Sequence, residues 1–143
     1  MSNKISELKD VLTRLVDSYE GYKDAAEKAE QERHKTQFND LATKRYQYAV
    51  TIQEFLKTQG EDVDIDGSFL AGAHRLFMDL KNMLGDDEAL LGSIRAGESN
   101  LLATYRDAME ECGFDGEFLR KLQEQYKEIE TNLELINAKK KAA

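Results

Sequence analysis

The chain has no proline, no tryptophan and a single cysteine, Cys112, in its 143 residues. Without proline, no helix need be broken or kinked from within, and long helices are left uninterrupted. A lone cysteine excludes an intramolecular disulfide, and the apolar spacing around Cys112 makes it a small core side chain. Basic residues are in the minority: 20 Lys and Arg stand against 28 Asp and Glu, a formal charge of −8. That balance excludes the basic footprint needed for non-specific nucleic-acid binding or for an anionic membrane surface. The basic run Lys139-Lys140-Lys141 is short and suits the C-terminal end of a helix dipole. Long apolar runs are also missing. The opening MSNKISELKDV lacks the apolar core of a signal peptide, and nothing later approaches the length of a membrane span. The chain is therefore expected to be a cytoplasmic single domain with neither nucleic-acid nor membrane partners. No Gly-rich phosphate loop and no nucleophile with its base is legible, so no catalytic residue and no organic cofactor is predicted.

What is present is helical periodicity. From Asp87 to Cys112, apolar residues fall at Leu91, Ile94, Leu101, Tyr105, Ala108 and Cys112, the alternating three-and-four step of a packed helix. Glu98 interrupts the series. A carboxylate on such a seam must be ligated, paired or protonated, because an unpaired buried charge is too costly. The first helix is predicted over about 3–29, with Ile5, Leu8, Leu12, Leu15, Tyr19, Tyr22, Ala26 and Ala29 on its seam and Glu20 one step off it, a flanking position that either reaches inward or faces water. A polar turn over 30–35 leads to a second helix over about 36–59, where Phe38, Leu41, Tyr48, Ile52 and Phe55 share a face with one charged residue, Arg45. Gly60 stops it. A short helix is predicted over 68–84, with Leu70, Ala73, Phe77, Leu80 and Leu84 apolar and His74 on or beside that face. The last helix, about 115–138, has the clean seam Leu119, Leu122, Tyr126, Ile129, Leu133 and Ile136.

Short connections make the first pair of long helices antiparallel, and the last pair likewise. The long middle connection, residues 60–86, has enough chain to run back along the bundle and make the second and third long helices parallel. The expected fold is all-α, a ferritin-like four-helix bundle with an extra helix in the crossover. In that topology Glu20, Arg45 and Glu98 come to one depth.

Two arrangements of this layer compete. In one, Glu20 and Glu98, with His74 approaching from the crossover, are members of a carboxylate site for iron or manganese. Di-iron bundles need a Glu from each of two helices and a Glu-x-x-His from each of the other two. The only histidines, His34 and His74, are preceded three residues earlier by Gln31 and Ala71. In the other arrangement Arg45 stands in place of the metal, its fork bridging Glu20 and Glu98 in a buried network that fixes helix register. The network accounts for more of the residues. The seam tyrosines Tyr19, Tyr22, Tyr48, Tyr105 and Tyr126 are expected as large core residues whose hydroxyls reach polar groups.

The segments SYEGYKDAAE (Ser18 to Glu27), KRYQY (Lys44 to Tyr48), GAHRLFMDLK (Gly72 to Lys81), GDDEALL (Gly85 to Leu91) and AGESNLLATYRDAM (Ala96 to Met109) occur in that order. Together they resemble a bacterial family of small ferritin-like four-helix bundles known only as a domain of unknown function. The resemblance runs over roughly residues 4–138 and points to Glu20, Arg45, His74, Arg75, Glu98 and Tyr105 as family-type positions. It implies a relation to the ferritin and rubrerythrin superfamily. It carries over no ferroxidase activity, since the paired Glu-x-x-His motifs are missing. The expected function is thus a non-enzymatic structural, stress-related or protein-interaction role, with an unidentified protein or a second copy as partner. The alternative is a degenerate iron or manganese bundle with storage or redox activity.

Overall fold

The structure is a computed structural model that describes residues 2–65, 87–112, 114 and 116–142, with side chains described over 4–65, 87–110, 114 and 116–136. Four α-helices make up nearly all of this: α1 (Ser2–Lys28), α2 (Glu32–Thr58), α3 (Asp87–Cys112) and α4 (Gly116–Ala142). The described residues contain no strand. The crossover helix expected over 68–84, with His74 and Arg75, lies outside the described residues, as does the side chain of Cys112.

Two apolar clusters fix the direction of each helix. One gathers Leu8 to Val16 of α1, Ala49 to Leu56 of α2, Leu101 to Ala108 of α3, and Leu122 and Ile129 of α4. The other gathers Tyr22 to Ala29, Phe38 to Ala42, Leu90 to Ile94, and Ile136. Passing from the first cluster to the second, residue numbers rise along α1 and α4 and fall along α2 and α3. α2 and α3 are therefore parallel to each other and antiparallel to α1 and α4. α1 packs against both α2 and α3, and α3 against α4. Between the two clusters the core turns polar. Ser18, Arg45 and Glu98 are each 0% exposed there.

α2 starts at Glu32, four residues before the expected boundary near 36, and leaves only a short turn after α1. The cause lies in another helix. Gln31 is the N-cap of α2, and its side chain makes no capping hydrogen bond. The carboxylate of Asp87, the first residue of α3, takes that role: Oδ1 accepts the N–H of Glu30 at 2.9 Å and Oδ2 that of Gln31 at 3.4 Å. His34 Nδ1 lies 2.5 Å from Asp87 Oδ2. A negative charge held at a helix N-terminus also complements the dipole of α2. Of the residues read from composition as a polar turn, 32–35 are helical, and the two that lead into them, Glu30 and Gln31, are held by a carboxylate from more than 50 residues away.

α2 ends in a Schellman turn. Gly60 N–H donates to Lys57 O at 3.1 Å and Glu61 N–H to Leu56 O at 2.9 Å, with Gly60 at φ +83°. No atom would crowd a Cβ at Gly60, so Gly60→Ala isolates the cost of the left-handed backbone. The expected loss is about 1 kcal/mol in chemical denaturation; an unchanged midpoint would mean that the turn relaxes freely. α4 continues to Ala142, past the expected end near 138, and carries the lysine run within its last turns.

Candidate functional site

The polar layer is built around Glu98. Ser18 Oγ donates to Glu98 Oε1 at 2.9 Å, and Arg45 Nη2 donates to Oε2 at 2.5 Å. Both carboxylate oxygens are thus occupied by donors from two different helices. The Arg45 guanidinium lies between two aromatic rings, 5.6 Å from the centroid of Tyr22 and 5.7 Å from that of Tyr48. Their faces are attractive to a cation and screen it from water. Burial works against the charged guanidinium, but the facing Glu98 carboxylate, together with Tyr22 and Tyr48, outweighs it and holds the pKa above the ordinary arginine value. Arg45 is therefore a permanent cation at the centre of the core. Its Nε and Nη1 have no hydrogen-bond partner among the described residues.

The tyrosines around the pair remain neutral. Burial first, and the charge of Glu98 second, push the Tyr22 hydroxyl well above its usual pKa. Burial does the same to Tyr105, whose hydroxyl donates to Gln125 Oε1 of α4 at 2.6 Å. Tyr48 is raised by burial and by Glu128 of α4. Glu128 in turn accepts from Lys44 Nζ at 2.6 Å, and Lys44 is the main cause of its lowered pKa. The layer thus runs outward from Glu98 through Arg45 and Tyr48 to an ion pair at the surface between α2 and α4.

Of the residues singled out from sequence, Arg45 and Glu98 are brought together and Glu20 is not with them. Glu20 is half-buried and lines an outer groove with Lys23, Asp24 and Glu27. The geometric reason is simple. Ser18 faces the core, and two residues on, at about 100° per residue, a helical side chain points to nearly the opposite side. Arg45 accordingly donates to one carboxylate, that of Glu98, whose other oxygen is taken by Ser18 rather than left to a second cation. His74 lies outside the described residues. Tyr105 is buried next to the layer, bonded to Gln125.

Ser18 and Gln125 carried one sequence signal that went unused: each is a polar residue at core spacing, Ser18 three residues after Leu15 and four before Tyr22, and Gln125 three after Leu122 and four before Ile129. Asp17, 1% exposed and 3.7 Å from Arg14 Nη1, had no such signal. The His34–Asp87 pair joins two helix ends, which periodicity within either helix cannot reveal.

As a metal centre the described part of this layer is a poor fit. The one carboxylate has both oxygens engaged, and a fixed positive charge bonds to it. A divalent ion on Glu98 would meet repulsion of several kcal/mol from Arg45. Among the described residues, no three His, Cys, Asp or Glu side chains come together as a possible ligand set. None of the described helices is long and apolar enough to cross a membrane.

Residues 3–111 match the family model of a domain of unknown function (DUF2383). The chain belongs to that family. The match takes in Ser18, Tyr22, Arg45, Tyr48 and Glu98, so the whole ion-paired centre lies inside the family domain, while Gln125 and Glu128 lie in α4 beyond it. No curated protein and no solved structure matches the chain.

Proposed function

We propose that this DUF2383 protein is a ferritin-like bundle, with a crossover helix over 68–84, whose central site is closed by an internal salt bridge. It acts as a cytoplasmic structural, stress-related or protein-interaction module rather than as an enzyme. The observation that carries this is the fully buried Arg45–Glu98 pair, in which a guanidinium lies where a carboxylate bundle would hold its metal. Parallel α2 and α3, with a long connection between them, are the topology such a bundle requires. The partner is a second copy or another protein, engaged through the surface.

The competing function is a degenerate iron or manganese site using Glu98, Glu20 and His74, with storage or redox activity. It requires Glu98 to release Arg45 and Glu20 to turn inward, and Arg45 would still oppose the incoming cation. Elemental analysis after aerobic loading with ferrous iron or manganese separates the two, with Glu98→Gln as the control because it keeps the side-chain shape. The expected result is no metal above background in either protein. About two ions per chain in the native protein, the number a paired-carboxylate bundle holds, and their loss in Glu98→Gln, would overturn the closed-site function.

A further inference from the structure

Tyr19 of α1 and Tyr46 of α2 meet on the outer side of that helix pair, with ring centroids 5.1 Å apart and planes tilted by 40°. At this separation the rings are in contact. Among the described residues it is the one contact between two tyrosine rings. Tyr46 is 40% exposed and Tyr19 is half-buried. The other tyrosines are placed differently. Tyr22 and Tyr105 have no exposed surface, Tyr48 packs against the core near Glu128, and the Tyr126 hydroxyl accepts from Arg106 Nη2 at 3.1 Å.

The surroundings of the pair favour loss of an electron there. Thr43, Gln47 and Val50 complete the groove around the two rings, and none of them is readily oxidised. Tryptophan, the side chain that competes best for a one-electron oxidant, is missing from the chain. Lys23 sets the order of events. Its Nζ stands over the Tyr19 ring, 5.0 Å from the centroid. A cation in that place is attracted by the ring's electrons and opposes their removal. Among the described residues no cation lies over Tyr46, so the more exposed ring is oxidised first. Glu20, Asp24 and Glu27 line the adjoining groove with Lys23, a net negative surface that draws in a cationic oxidant.

We propose that Tyr19 and Tyr46 form an oxidation site, at which an outer-sphere one-electron oxidant converts the pair to an intramolecular dityrosine. One equivalent of oxidant takes an electron from Tyr46, and the phenol proton goes to water. A second equivalent does the same at Tyr19. The two phenoxyl radicals couple through ring carbons ortho to their oxygens, forming one carbon–carbon bond. The hydrogens on those two carbons then move to the oxygens and restore both phenols. The chain thus loses two electrons and two protons, and two equivalents of oxidant are each reduced by one electron. The new bond ties α1 to α2 and constrains the unfolded chain as a disulfide would, so oxidation here tightens the bundle. The site is separate from the Arg45–Glu98 layer and stands whether or not that layer binds metal.

Oxidation of the full chain by photogenerated tris-bipyridyl ruthenium(III), with a cobalt(III) ammine as terminal electron acceptor, tests this. The expected product is a monomer in which the peptides containing Tyr19 and Tyr46 are joined. Its mass is that of the two peptides less two hydrogen atoms. The yield per chain should not depend on protein concentration. Dityrosine should be lost in Tyr19→Phe and in Tyr46→Phe, which keep the ring and its packing, and should persist in Tyr126→Phe. Denaturing the protein before illumination should remove the preference for this pair. Native protein that yields no such product, or joins other tyrosines within the chain instead, would overturn the proposal. So would dityrosine that persists in both Phe variants of the pair, or that forms only between chains and rises with concentration.

Discussion

Truncating Glu98 to alanine is expected to destabilise the protein by about 3–5 kcal/mol, because it leaves the Arg45 guanidinium buried and uncompensated. For a chain of this size the same loss lowers Tm by roughly 10–17 °C. Glu98→Gln, which keeps an acceptor for Arg45 but no charge, should cost less, about 1–3 kcal/mol. The decisive variant is the pair. Arg45→Met with Glu98→Met removes both charges and returns the layer to apolar packing, and such replacements are often neutral or stabilising. Chemical denaturation of the native protein, Arg45→Met, Glu98→Met and the double variant forms a double-mutant cycle, with an expected coupling of about 2 kcal/mol or more. Additive effects, or a loss below about 1 kcal/mol in Glu98→Ala, would mean that Arg45 finds water or another partner once the carboxylate is gone.

That cycle also bears on why such a costly pair is there at all. Two apolar clusters on long, straight helices can slide past each other by a turn with little loss of hydrophobic contact. A single charged level between them removes that freedom, since Arg45 meets Glu98 in only one register of α2 against α3. Ser18 extends the constraint to α1, and the Lys44–Glu128 ion pair and the Tyr105–Gln125 hydrogen bond tie the neighbouring levels to α4. The layer contributes little net stability compared with an apolar core but distinguishes one alignment of four helices from its neighbours. If so, the Met/Met protein will be stable yet heterogeneous, with broadened amide resonances around residues 45 and 98.

The four long helices and their depths were legible because they rest on periodicity, which is local. Arg45 and Glu98 stood out as charges on apolar seams, and parallel α2 and α3 place them at one level. Glu20 was placed in the layer by its charge and its depth, although helix geometry turns it about 200° from Ser18. Ser18 itself was overlooked because a small hydroxyl raises no alarm on a seam, even though it is what a carboxylate lacking a second cation needs. The start of α2 was misplaced for a different reason. Residues 30–35 have turn composition, and the helix from Glu32 is entered through Glu30 and Gln31, which are held by a carboxylate supplied by α3 that no local window contains.

That remote cap leads to the second large effect. Asp87→Ala removes two acceptors from the N-terminus of α2, the partner of His34, and a negative charge at the positive end of the helix dipole. The expected cost is about 2–3 kcal/mol. Burial alone would raise the pKa of Asp87, but hydrogen bonds from Glu30 N–H, the His34 ring and Gln31 N–H outweigh it and hold the carboxyl below its ordinary value of 3.8. The sign of the linkage follows. Because the unfolded chain takes up this proton first on acidification, the stability contributed by Asp87 is fully present above the ordinary aspartate pKa. It is lost as the pH falls through the lowered folded value. The gap between native and Asp87→Ala stability should therefore be constant from neutral pH down to about pH 5 and narrow as the pH falls further. Asp87→Asn, which keeps one acceptor for the backbone but no charge, should fall between the two at neutral pH and show no such narrowing in acid. If the gap instead widens in acid, the carboxyl is held by something other than these donors, and the junction of α2 and α3 is not the charged clamp described here.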